Sequence, residues 1–452
     1  MIMMKDLTRG NEWKLIIQFT VPMLLANLFQ QLYLFVDRIV VGNYLGKSAL
    51  AAIGNSMSII FAIISIVVGI SMAGTILISQ YYGARDEESI RKTVDTVNVF
   101  LLLAGIVITI AGYYGADFFM EHMKMEQGVS RQEAVDFMRS YFVGILGLFG
   151  YHATSAYLRG VGNSKTPLYI ILLSSLVNAV LVYVFVAHLH WGIKGAAWAT
   201  VIAQTVSFLS AVIYLQVNSS LIRMRFIRLK FDWKILKKFL VIGFPTGIHQ
   251  TLVALGMLAL MRYINQYGDT VAAAYTTGGI IDMICILPAM NFSMALITFT
   301  GQNLGAGFID RVRKGVHVTQ VLSVAFTLFF SIIVLIFSHQ SIAIFNKNPD
   351  VIRIGQNYIW IVAGTYVFFS VMFVYNGVLR GAGDTWIPMI ITLVSLWLIR
   401  IPLAGYLMIN WKENGIFMAI PVSWILGMIA SYVYYKKGNW QKSKIIEKPL
   451  EA

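Results

Sequence analysis

Twelve stretches of this chain are apolar over enough residues to cross a lipid bilayer, which takes about 20 residues of helix. Their approximate limits are 15–41, 50–79, 94–116, 136–158, 167–188, 193–215, 239–265, 270–302, 316–338, 355–379, 387–408 and 415–435. In hydrocarbon every backbone N–H and C=O must be bonded inside the protein, so runs of this length fold as helices. The expected fold class is an all-α polytopic membrane protein with twelve transmembrane helices, called spans 1–12 below. Composition agrees: 58% of the 452 residues are hydrophobic and only 12% are charged, a balance that soluble domains do not have. The first run is full length and has no small-residue cleavage site, so it reads as a span rather than a signal peptide. The single cysteine, Cys285, lies in an apolar run and excludes a disulfide framework or a cysteine metal site.

A net charge of +14 raises the question of nucleic acid, but the charges flank the spans, as topology signals do. With the N-terminus inside, 24 lysines and arginines fall on the cytoplasmic side and 8 on the other. That bias predicts both termini in the cytoplasm, with no nucleic-acid partner. The richest loop, Asn218 to Lys238, carries Arg223, Arg225, Arg228, Lys230, Lys234, Lys237 and Lys238. It reads either as an amphipathic segment lying on anionic lipid or as a linker that obeys the charge rule.

The linker divides two related halves. Leu158-Arg159-Gly160-Val161-Gly162 recurs as Leu379-Arg380-Gly381-Ala382-Gly383, and Gln80-Tyr81-Tyr82-Gly83-Ala84 recurs as Gln302-Asn303-Leu304-Gly305-Ala306. Val21-Pro22 matches Phe244-Pro245, and Gly192-Ile193 matches Gly415-Ile416, in the same order and at nearly the same offset. Each half therefore has six spans, and an even number makes the repeat parallel. The expected domains are an N-terminal lobe over 1–217, a basic cytoplasmic linker over 218–238, a C-terminal lobe over 239–438 and a tail over 439–452. In transporters such a repeat puts the substrate path between the halves and permits alternating access.

Span 1 carries Pro22, three amides (Asn27, Gln30, Gln31) and one carboxylate, Asp37. An ionisable group at membrane depth costs about 2.5 kcal/mol or more, so its default reading is functional. The alternative places Asp37 at the headgroup boundary beside Arg38.

Together these residues resemble the multidrug and toxic compound extrusion (MATE) family. The resemblance rests on Leu7-Thr8-Arg9-Gly10, Val21-Pro22, Val36-Asp37-Arg38-Ile39-Val40-Val41-Gly42 and the two repeated motifs above, and covers residues 8 to 440. It implies export of amphipathic, often cationic drugs driven by proton or sodium re-entry, by a chain expected to act as a monomer among membrane lipids. It also implies that Asp37, Asn178 in span 5 and Thr200 in span 6 serve cation coupling. The family often has a second aspartate four residues after that asparagine; here the position is Val182. A hard cation wants several oxygen ligands, whereas a lone carboxylate in low dielectric suits a proton carrier, because desolvation disfavours its charged form. Protons are favoured, and sodium near Asp37 stays open. No other cofactor is expected.

Asp282 in span 8 and Arg400 in span 11 are each costly alone at depth, and their simplest fate is a buried ion pair, structural or switching. His249 and Gln250 follow the span 7 proline. His249 reads either as a titrating group or as a hydrogen-bonded interhelical histidine. Gln30, Gln31, Tyr33, Phe35, His249, Gln250, Met57, Tyr275, Met283, Met290 and Met294 are candidate cleft residues, methionine and aromatic surfaces being tolerant of varied ligands. Enzyme signatures are missing: there is no His-Glu-x-x-His pair and no phosphate-cradling glycine loop after a strand. The rival reading is a flippase for a lipid-linked intermediate, although only Arg38, Arg262 and Arg400 lie near membrane depth to meet a pyrophosphate. A channel or receptor is a more distant rival.

Overall fold

Helices run where the apolar stretches predict them, and they turn where glycine or a polar residue interrupts them. The computed structural model describes residues 5–122, 129–224, 229–442 and 445–446. Span 1 is Glu12–Gly46 and span 2 is Ser48–Gly83. The two meet at Gly46, whose φ of 82° a residue with a Cβ rarely adopts. Spans 3, 5 and 6 are Glu87–His122, Lys165–His188 and Gly192–Asn218. Span 4 is built from two helices, Val129–Val143 and Ile145–Gly160. They part at Gly144, where a Cβ would lie 2.2 Å from Val201 of span 6. Spans 7 to 10 are Trp233–Tyr267, Asp269–Gly305, Ile309–Ile336 and Pro349–Ala382. Spans 11 and 12 share Trp386–Lys437, broken at Lys412 with φ 50°. The fold is therefore all-α, with twelve spans in two halves of six among the described residues.

The repeat holds at the level of individual hydrogen bonds. Ala84 N–H donates to Gln80 O at 3.0 Å and Asp86 N–H to Tyr81 O at 3.0 Å. In the second half Ala306 donates to Gln302 O at 3.0 Å and Phe308 to Asn303 O at 2.8 Å. The pivot of each turn is left-handed, Arg85 at φ 60° and Gly307 at φ 81°. The arginine-glycine motifs end their helices alike, with Gly162 at φ 82° and Gly383 at φ 99°, which lets the following N–H return to Leu158 O and Leu379 O. Gly160 lies against Ile78 and Thr75 O of span 2, as Gly381 lies against Thr300 and Ile297 O of span 8. Nearly constant offsets in sequence thus carry matching helix contacts.

The chain forms two compact units: Val21–Gly247 with the stretch ending at Asp6, and Leu7–Thr20 with the residues from Ile248 on. The divisions fall beside Pro22 and Pro245, inside spans 1 and 7, rather than in the linker. In the second unit Leu7 is buried and its N–H donates to Gln302 Oε1 at 2.8 Å, while Asn303 Nδ2 donates to Leu7 O at 3.2 Å. Arg311 then closes the turn on Gly10 O at 3.0 Å and on Glu12 at 3.0 Å.

In the first unit the linker is seated on span 3: Lys230 N–H donates to Asp95 at 3.1 Å and Asp232 N–H to Thr96 at 3.0 Å. The linker arginines Arg225 and Arg228 lie outside the described residues, as do Lys124, Lys444 and Lys448 of the charge count. Large apolar side chains such as Leu103, Val107 and Tyr114 of span 3 face outward, as a surface solvated by lipid requires.

Candidate functional site

In the first unit Tyr33, Tyr141 and Thr200 stand near Asp37. Tyr33 and Asp37 stand one turn apart on span 1, so both point the same way. The Thr200 hydroxyl of span 6 neighbours both, and Tyr141 of span 4 lies near Asp37 and Tyr33. Spans 5 and 6 are tied by Ser174 Oγ donating to Ala203 O at 3.0 Å. One turn onward in span 5 is Asn178, and one turn back in span 6 is Thr200. Antiparallel packing therefore brings these two to the same depth.

Asp37 Oδ1 is buried and has no hydrogen-bond partner, and Asn178, fully buried, has neither its Nδ2 nor its Oδ1 bonded. A buried polar atom left unbonded costs about 1–3 kcal/mol, and more if charged; buried atoms elsewhere, Gln204 Oε1 and Thr327 Oγ1 among them, share this state. Arg38 is exposed and does not share the buried side of Asp37. Val182 is buried one turn beyond Asn178, so the position of the family's second aspartate offers only a methyl surface. Among the described residues no three acids, histidines or cysteines gather as a metal site. Oxygen donors near Asp37 are the Thr200 and tyrosine hydroxyls. That set can pass a proton, and it supplies one formal negative charge for a cation.

The second unit holds a different arrangement from the ion pair expected of Asp282 and Arg400. The Tyr358 hydroxyl donates to Asp282 Oδ2 and the Tyr366 hydroxyl to Oδ1, so both carboxylate oxygens are taken by span 10. Arg400 instead donates from Nε to Ser423 Oγ at 2.7 Å and lies over the Trp424 ring, 5.5 Å from its centroid. Among the described residues these two form no ion pair within 4.0 Å. Neutral hydroxyls on the neighbouring helix reach the carboxylate first, which spares the unit a close pair of desolvated charges. Arg400 closes a π-helical turn, Val394–Arg400, a local irregularity that swings its side chain towards span 12.

His249 is buried against Arg380, whose Nη2 is 3.4 Å from each ring nitrogen. Gln250 completes the polar patch as a neighbour of His249. The remaining candidates separate by exposure: Met283 and Met290 are exposed, whereas Gln30, Gln31, Tyr33, Met57, Tyr275 and Met294 are half-buried. Tyr275 packs edge-on against Tyr358, with centroids 5.7 Å apart. Sequence reasoning did not find Tyr141, Tyr358, Tyr366, Ser423 or Trp424. The available signal was that a buried tyrosine hydroxyl needs a partner, but 22 tyrosines dilute it.

The sequence profile of the MatE family matches residues 22–184 and again residues 245–405. The chain belongs to the MATE family. Both matches begin at a proline, Pro22 and Pro245, and each runs from the first span of its half into the fifth, so the family profile follows the internal repeat. Among MATE relatives, the probable multidrug resistance protein YpnP of Bacillus subtilis is 31% identical over 445 residues, covering 97% of this chain and 98% of that one. The probable multidrug resistance protein NorM of Thermotoga maritima is 26% identical over 451 residues, covering 96% and 94%. The fold matches an outward-facing multidrug resistance MATE transporter of the MOP superfamily with a TM-score of 0.91 at 21% identity, over 96% of this chain and 97% of that one. A MATE protein crystallised in a straight conformation matches at 0.89 with 22% identity, over 96% and 98%.

Proposed function

We propose that this chain is a cation-coupled antiporter that exports amphipathic, often cationic drugs from the cytoplasm by alternating access, with protons rather than sodium as the coupling ion. The observation that carries the reading is the buried Oδ1 of Asp37, unbonded among the described residues, with the Thr200 hydroxyl as a neighbour. The multidrug resistance relatives support the substrate class. Asp37 takes a proton from the outer side, and the bonds around Thr200, Tyr33 and Asn178 then rearrange. That change weakens drug contacts on span 1, the drug leaves outside, and the empty carrier releases its proton to the cytoplasm. Val182 in place of an acid supports protons, because a sodium ion would have one carboxylate and neutral oxygens alone. The chain acts as a monomer in the bacterial plasma membrane with both termini cytoplasmic, as its lysine and arginine bias supports. No observation favours the flippase.

Cells expressing the chain should retain several-fold less ethidium than cells without it, and a protonophore should restore the dye to the control level. Equal retention with and without the protein, at matched expression, removes this reading.

A further inference from the structure

The linker before span 7 displays side chains that neither the packing of the first unit nor the coupling cycle uses. Its backbone is held in place, because Lys230 and Asp232 donate their N–H groups to Asp95 and Thr96 of span 3. On that seat every second residue, Leu229, Phe231 and Trp233, is a large apolar side chain left exposed, Trp233 by 73%. Phe231 and Trp233 stand edge to face, with centroids 5.0 Å apart. Lys230, Lys234 and Lys237 are exposed among them. The carboxylates around these lysines are engaged otherwise. Glu88 pairs with Lys92 at 2.8 Å, and Asp232 Oδ1 caps span 7 by accepting the N–H groups of Lys234 at 2.8 Å and Ile235 at 3.2 Å.

Helix formation does not ask for this arrangement. The first half opens span 1 with Glu12-Trp13-Lys14, as the second opens span 7 with Asp232-Trp233-Lys234. Where the linker has Lys230 and Lys237, the corresponding positions in the first half are Gly10 and Ile17. The charge bias of cytoplasmic loops asks for lysines alone, not for an apolar ridge on a fixed backbone. Trp233 and Lys237 begin a stripe at helical spacing that Val241 and Phe244, both exposed, continue along span 7. The ridge therefore stands where the apolar outer surface of span 7 meets the aqueous side. Exposed apolar rings flanked by uncompensated lysines complement a surface that is apolar below and anionic above.

We propose that Leu229, Lys230, Phe231, Trp233, Lys234 and Lys237 form a docking surface for anionic phospholipid. The apolar side chains enter the acyl-chain boundary and the lysines hold the headgroup phosphates. Through Asp95 and Thr96 the same contact ties span 3 to the leaflet. That this is the cytoplasmic leaflet rests on the orientation proposed above.

The test follows tryptophan emission of the full-length protein in nanodiscs of phosphatidylcholine and phosphatidylglycerol, with one lipid or the other brominated near its headgroup. Subtracting the emission of Trp233→Phe isolates Trp233. Brominated phosphatidylglycerol should half-quench Trp233 at about tenfold lower mole fraction than brominated phosphatidylcholine. Lys230→Gln, Lys234→Gln and Lys237→Gln together should bring the two within about twofold, and high salt should narrow the gap in the parent chain. Lys314→Gln, Lys436→Gln and Lys437→Gln remove the same charge from exposed positions of the second unit and should leave the gap unchanged. Should the linker variant not accumulate, the salt response takes its place, and a gap insensitive to salt overturns the proposal. Equal quenching by the two lipids overturns it too, as does quenching by neither, which would mean a ridge covered by protein. A gap that the second-unit variant closes as far as the linker variant does reduces the effect to net charge and also overturns it. Both faces of a nanodisc carry the same lipids and no drug or gradient is present, so neither orientation nor transport enters the result.

Discussion

Asp37→Asn should reduce gradient-driven drug export to the level of membranes without the protein, while the folded protein accumulates as before. Asparagine keeps the shape of the side chain and its place beside Thr200 but cannot take up and release a proton. The variant also exchanges a buried, unbonded carboxylate oxygen for a neutral group, and burying a neutral group costs less than burying an unpaired charge. Melting in detergent should therefore be unchanged or slightly higher, opposite in sign to the effect on transport. Asp37→Glu retains the titrating group on a longer arm and should keep a fraction of the export. The measurement is export and melting temperature on the same preparation. Loss of both together would mean that Asp37 is a packing residue.

A large effect on folding should come from Gly377. A Cβ at this position of span 10 would lie 2.6 Å from Ser293 Oγ and 2.8 Å from Ser293 O, and at Gly381, one turn on, 2.7 Å from Ile297 O. The obstructing atoms include backbone oxygens, which cannot rotate away. Helices in lipid associate through such close approach, because apolar side chains gain nothing by leaving one hydrocarbon for another. Gly377→Leu should force spans 8 and 10 apart at a cost of about 3 kcal/mol or more, and little folded protein should be recovered. Gly279→Ala on span 8 is the control, since nothing lies within 4 Å of its Cβ, and it should melt like the parent chain. Equal melting of the two variants would remove the close-packing account of this crossing.

The number of spans and the repeat were legible in the sequence because both rest on patterns along one dimension. A long apolar run must be a helix in lipid, and the left-handed turns at Gly162 and Gly383 leave a glycine that can be read directly. The grouping of Asp37, Asn178 and Thr200 came from the family resemblance, and the tie from Ser174 to Ala203 supplies the physical reason for two of the three standing at one level. The surroundings of Asp282 were not legible. Its partners Tyr358 and Tyr366 flank the 3₁₀ turn Ala363–Thr365, which breaks the helical period that would have linked them. Charge alone pointed to Arg400, yet two tyrosine hydroxyls satisfy the same carboxylate. The choice between them depends on how spans 8, 10, 11 and 12 pack, which no local pattern records.

The most direct test of proton coupling through a lone Asp37 is ethidium transport in reconstituted vesicles, with a proton gradient and a sodium gradient imposed separately. The account predicts that the proton gradient alone drives transport and that Asp37→Asn abolishes it. Transport driven by sodium alone, or proton-driven transport that persists in Asp37→Asn, would contradict it.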